Sequence, residues 1–178
     1  MEIEQFEQLS DLEKRELIFA EWIENLRDPE RNQVRRHLEV LSLDQELRGQ
    51  CCLGILCEIG WKYGLLDRIT HADTWTDPET DLTYETRLRG YYRSADKNYD
   101  KVDIKYFEQS RLPVEFKEFL KLNKILGYSE DHYLYGHPNV LTYEDWLVDL
   151  NDNKHISFSA IANFVETNVM PKVLTNDE

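Results

Sequence analysis

The sequence predicts an α+β fold: a predominantly helical single domain over residues 1–178, with a small β-hairpin or sheet insertion at 68–106. Three observations carry this. Phe19, Trp22, Ile23 and Leu26 recur at i, i+3, i+4 and i+7, one stripe of an amphipathic helix. Leu53, Ile55, Leu56, Cys57 and Ile59 surround a helix on all sides, as in a buried one. Leu82, Tyr84, Thr86 and Leu88 alternate after the turn-forming Asp77-Pro78, which is strand periodicity. A chain of 178 residues, 41% hydrophobic, is long enough to bury one real core.

Taken in order, the first element starts at Ser10, which with Glu13 makes an S-x-x-E capping box, and Leu9 stands where a hydrophobic staple belongs. Asp28-Pro29 ends that helix. A second, polar helix is expected from Pro29 to Leu41, with Pro at an early position. The stretch "RGQCCLGILCEIGW" follows (Arg48 to Trp61), with Gly60 and Gly64 to close its helix and Gly54 permitting a close crossing. After the hairpin, "SADKNYDKVD" reads as a polar loop. "RLPVEFKEFLKLN" reads as a helix with Pro113 in its first turn and Phe116, Phe119 and Leu120 inward. Residues 127–142, rich in Tyr and His, read as loop, and 143–149 as a turn or two of helix. In the last segment Ser157 is the expected N-cap, Phe158, Ile161, Ala162 and Val165 the buried stripe, and Pro171 the stop after it.

The formal net charge is −14. A surface of that sign repels duplex DNA and anionic lipid, so neither is an expected partner. No apolar run approaches the roughly 20 residues of a membrane-spanning helix. The acidic start "MEIEQFEQLSDLEKRE" is unlike a secretory or transit signal, and a cytoplasmic location is expected. Three cysteines, an odd number, argue against a disulfide framework.

Several segments, in order, resemble those of a family of small phage and prophage proteins. "CCLGILCEIG" is similar to the family's CCLGVLC segment, and "LNDNKHISFSAIANFVE" to its closing LND…FxxIAxxIE segment. "LPVEFKEFLKL" resembles LPxxVxxWLGL, and "WIENLRDPERNQVRRHL" resembles the opening WxxALRSGxYxQxxGxL. The chain departs from the pattern at Asp28-Pro29-Glu30, which replaces Ser-Gly, at Ala160, where an acid is usual, and in a longer 69–106 loop. The resemblance implies a phage or prophage origin and the host cytoplasm as its setting. It transfers no catalytic residue.

Cys51, Cys52 and Cys57 lack the C-x2–4-C spacing of a zinc site, and His37, His71, His132, His137 and His155 include no H-x3-H pair, so no metal is expected. No C-x-x-C redox motif is present. Cys51, in the first turn of its helix after Arg48, has the placement of a thiolate nucleophile. It would need His137 or His155, oriented by Asn151 or Asp152. Free cysteine is nonetheless among the most buried residue types, and packing is the expected role of all three. Asn151 and Asp152 could bind a ligand or shape the loop before the last helix, where Asx residues usually satisfy the free N–H groups of the helix that follows.

Residues 84–106 hold six bases against four acids, a net of +2 in a chain of −14, with tyrosines interleaved. Arginine forks suit phosphate and tyrosine faces stack on bases, so Arg87, Arg89, Tyr91, Tyr92, Arg93 and Lys97 are candidate ligand-binding residues, alongside Asn151 and Asp152. A twisted surface hairpin would use the same residue types. With neither GxGxxG nor GxxxxGK[ST], ATP hydrolysis is not expected. Three functions remain. The first is sequestration of a small nucleotide or nucleotide-derived immune signal by a phage anti-defence protein, without catalysis or cofactor, in which a homodimer would be natural. The second is inhibition of a host protein through the acidic surface. The third is a small hydrolase using Cys51.

Overall fold

The computed structural model describes residues 1–76, 83–92, 111–134, 137–154 and 156–175. It is an α+β fold, mostly helical, with a four-stranded antiparallel sheet and a separate two-stranded one. Helix α1 (Ile3–Glu7) leads into α2 (Asp11–Leu26), whose N-cap is Ser10 with the Glu13 carboxylate returning to its backbone N–H at 2.8 Å. Phe19, Trp22, Ile23 and Leu26 are all buried, and the helix stops before Asp28-Pro29 as the sequence predicts.

The second helix expected at 29–41 is not formed. Arg36 adopts φ +66°, incompatible with helix propagation, and β1 (Glu39–Leu41) pairs with both β2 (Leu47–Gln50) and β4 (Thr83–Tyr92). Cross-strand pairing overrides the weak helical signal of a polar stretch. The sheet order is β2-β1-β4-β3, with β3 (Asp67–Thr76) and β4 paired antiparallel over ten residues. The expected hairpin is therefore present, and its Asp77-Pro78 turn lies outside the described residues.

Helix α3 (Cys52–Lys62) follows β2 directly and is the centre of the molecule. Cys52, Leu53, Ile55, Leu56, Cys57 and Ile59 are all buried, which is why this helix has no polar face. A Cβ on Gly54 would lie 1.8 Å from the Leu38 carbonyl oxygen, so the close approach is to the backbone leading into β1 rather than to another helix. Gly64 takes φ +70° just past the C-cap Tyr63 and turns the chain.

Pro113 is the N-cap of α4 (Val114–Phe119), with Phe116 and Leu120 buried and Phe119 half-buried. Residues 127–142, expected as loop, are instead mostly strand: β5 (Ile125–Leu134) pairs with β6 (His137–Thr142). Their bulged, Tyr- and His-rich sequence lacks clean alternation, which hides them. Helix α5 (Tyr143–Val148) continues into a π-helical turn, Asp149–Asn153. Helix α6 (Phe158–Phe164), capped by Ser157, passes through a π-helical Val165–Val169 into α7 (Met170–Val173). Pro171, expected after the helix, sits in the first turn of α7, where no backbone N–H is needed. Helices α2, α3 and α6 share one core.

Candidate functional site

The chain leaving β2 meets α3 at Cys51, which serves as N-cap, its sulfur accepting from Gly54 N–H at 3.4 Å. Burial pushes the Cys51 thiol up to about 12, and those of Cys52 and Cys57 well above the ordinary range. The helix N-terminus does not compensate for loss of water. All three are free and buried, which is the packing role expected of them and the reverse of an activated thiolate. His137 lies in β6 and its side chain is outside the described ones; His155 is outside the described residues.

Asn151 and Asp152 come to the start of α3 from the π-helical turn. Asn151 is 1% exposed. Its Oδ1 accepts from Cys52 N–H at 3.3 Å and from Gln33 Nε2 at 3.0 Å. Its Nδ2 donates to the Val34 carbonyl at 3.0 Å and to Asp152 Oδ1 at 2.7 Å. The same Asp152 oxygen accepts from Arg36 N–H at 3.1 Å. The free N–H groups so satisfied belong to the start of α3 and not, as expected, to the last helix, and the bonds tie the LND segment to the stretch 33–36 and to α3.

A second polar cluster spans the sheet. Register places Glu39 opposite Gln50 on one side and Arg89 on the other. Glu39 is 1% exposed and accepts from Arg89 at 2.8 Å, from Gln50 Nε2 at 2.9 Å and from the Tyr91 hydroxyl. Gln50 also donates to Glu58 at 3.0 Å, and Arg31 bridges Glu58 at 2.8 Å and Gln50 Oε1. Burial raises the Glu39 carboxyl, against the pull of Tyr91 and Arg89. Burial would raise Glu58 as well, but hydrogen bonds from Arg31 and Gln50 outweigh it and leave it lowered. Burial and the Glu39 charge keep Tyr91 protonated as a donor.

Of the expected ligand-binding residues, Arg89 and Tyr91 are thus brought together, but around an internal carboxylate. Tyr91 is 1% exposed and offers no stacking face to a ligand. Arg87 is half-buried on β4, its Nε buried without a hydrogen-bond partner among the described residues. Tyr92 ends β4, with its side chain outside the described ones, and Arg93 and Lys97 lie outside the described residues. The sequence reading missed Glu39, Glu58 and Arg31. The available signal was an acid inside the apolar run "LEVL". It also missed Glu144, 2% exposed, which accepts from Leu112 N–H and Lys117 Nζ, both at 2.7 Å.

The outer layer differs. Residues 1–30 carry ten acids and three bases, a net of −7, half of the chain's charge. Nine of those acids are exposed on α1, α2 and the turn after them. Alongside α2 runs a groove of about 1000 Å³, walled by Lys62 and Tyr63 at the end of α3 and by Glu166 and Met170 across from them. Among the described residues no group of three or more His, Cys, Asp or Glu could hold a metal ion, and no helix is long and apolar enough to cross a membrane. No protein-family model, curated protein or solved structure matches this chain.

Proposed function

We propose that this protein acts by binding rather than by chemistry, and that its partner is a basic surface of another protein. The observation that carries this is the segregation of charge: half of the net −14 lies on the first thirty residues, on exposed faces of α1 and α2. Such a patch steers a basic partner toward it and makes association depend on salt. With the phage or prophage origin that the sequence resemblance implies, the partner would be a host protein and the effect inhibitory. The buried, strongly protonated Cys51 speaks against a thiol hydrolase.

A second reading, sequestration of a small nucleotide or nucleotide-derived immune signal, is favoured by one observation. The Arg87 Nε is buried with no hydrogen-bond partner among the described residues, on the strand that ends at Tyr92, with Arg93 and Lys97 next in sequence. A phosphate oxygen would satisfy it. Arg89 and Tyr91 would then support the strand from within.

One experiment separates the two. The protein is incubated with cyclic mono- and dinucleotides, ADP-ribose forms, NAD and nucleoside triphosphates, then filtered and heated, and both fractions are chromatographed. In parallel its binding to polylysine and to a panel of basic proteins is followed as salt rises. The first reading expects every nucleotide in the filtrate, and an affinity for basic partners that falls about tenfold or more from low to physiological salt. A nucleotide held and returned intact on heating replaces it with the second; one returned altered makes the protein an enzyme.

A further inference from the structure

The groove beside α2 combines an apolar floor with a rim of four carboxylates, two of them held in ion pairs. Leu17, Ala20 and Glu24 line it at successive helical spacings, one stripe of α2 about 10 Å long at 1.5 Å per residue, and the C-cap Arg27 and Asp28 continue it past the helix end. Leu17 and Met170 are half-buried and Ile23 is buried, so these supply the floor. Ala20 is exposed and too small to block approach.

The two bases lining the groove are both spoken for. Arg27 pairs with Glu166 at 2.6 Å and also donates to Asn163 at 2.9 Å. Lys62 pairs with Glu21 at 2.6 Å, and the Tyr63 hydroxyl donates to the same carboxylate at 2.7 Å. These contacts fix both walls. Glu24 and Asp28 form no ion pair among the described residues, so the rim has two negative charges to offer a ligand.

We infer that this groove is the docking site for a basic amphipathic helix of the partner protein. The inference rests on the acidic-surface reading and names its site. A volume of about 1000 Å³ receives roughly three turns of a helix some 10 Å across, half sunk. Its apolar stripe would cover Leu17, Ala20 and Met170, and its Lys or Arg side chains would meet Glu24 and Asp28. A second copy of this chain is disfavoured as occupant, since each carries −14 and would bring like charge to the groove.

The test uses the full chain and a fluorescent peptide of leucine and lysine in helical register, about four turns long, with a scrambled peptide of the same composition. Binding is followed by anisotropy at low salt for wild type, Ala20→Trp, Glu24→Lys and Glu4→Lys, each checked for folding by circular dichroism. Ala20 and Glu24 are exposed, so both substitutions leave the core untouched. The expected result is tighter binding of the amphipathic peptide than of the scrambled one. Ala20→Trp and Glu24→Lys should each weaken it about tenfold, and Glu4→Lys, on α1 and outside the groove lining, no more than about twofold. If the groove variants bind like wild type while affinity still falls with salt, the groove is not the site and the acidic reading stands. If neither peptide binds at low salt, both are lost.

Discussion

The Glu39 cluster and the Asn151 cluster both hold polar atoms under the sheet and the cysteine helix, each around a residue 1% exposed, but one is charged and the other is not. Asn151 uses all of its hydrogen-bonding capacity: two bonds accepted at Oδ1 and two donated from Nδ2. It buries no charge and asks nothing of pH. Glu39 buries a carboxylate that Arg89, Gln50 and Tyr91 must together stabilise, and burial still raises it. The difference teaches where the fold is vulnerable. Removing a neutral, saturated cap leaves buried N–H and C=O groups unpaired, whereas removing one member of a buried ion pair leaves a charge stranded, which costs more.

The largest expected effect follows from that. Glu39→Leu strands the Arg89 guanidinium, whose side chain is 15% exposed, and leaves the Tyr91 hydroxyl without its acceptor. A loss of about 3–5 kcal/mol is expected in urea unfolding; a loss under about 1 kcal/mol would show that the pair adds little beyond a hydrophobic filler. The milder Glu39→Gln sharpens the comparison through pH. Because burial raises the Glu39 pKa, the folded state holds its proton more tightly than the unfolded one. Its contribution to stability is therefore fully present below the unfolded value, near 4.5, and declines as pH rises through the folded value. The stability of wild type relative to Glu39→Gln should fall over that window. Glu58, being lowered, works in the opposite direction and loses its contribution as pH drops, so the variant comparison is needed to isolate Glu39.

Next in size is Asn151→Ala. It removes the acceptor for Cys52 N–H and the donor to the Val34 carbonyl, both buried. A cost of about 1–3 kcal/mol is expected, with no pH window like that of Glu39, since the amide does not titrate. A cost under about 0.5 kcal/mol would show that water takes the place of the amide at both groups.

The contrast also explains what the sequence made legible. Helix α2, the buried α3 and the Ser157-capped α6 are local: capping residues and apolar spacing lie within one segment, and the structure follows them. Strands β1 and β2 are three and four residues long, and exist because Glu39 and Val40 find partners in β2 and in β4, some fifty residues on. The β4 partners lie outside any local window, and without them the short β1–β2 pair has little to mark it. The same holds for the polar residues. Arg89 and Tyr91 stood out because their types suit phosphate and bases, yet their partner, Glu39, is distant in sequence and was read as part of a helix. Asn151 was recognisable as a residue that satisfies helix N–H groups, but the helix it serves is α3, a hundred residues earlier, not the one that follows it.

The smallest effect is expected where the sequence drew most notice. In Cys51→Ser the hydroxyl replaces a sulfur that already accepts from Gly54 N–H at 3.4 Å, and serine is a preferred N-cap. The gain at the cap offsets much of the cost of placing a hydroxyl in a site only 6% exposed, so stability should change by no more than about 1 kcal/mol. The wild-type thiol supplies a sharper measurement. With a pKa of about 12, its thiolate fraction at pH 7 is on the order of 1 in 100,000, against a few per cent for an ordinary cysteine. Iodoacetamide should therefore label native Cys51 orders of magnitude more slowly than the urea-unfolded chain, as mass spectrometry of the modified peptide would record. Rapid labelling of the folded protein at or below pH 7 would return Cys51 to consideration as a nucleophile and remove the main physical argument against catalysis.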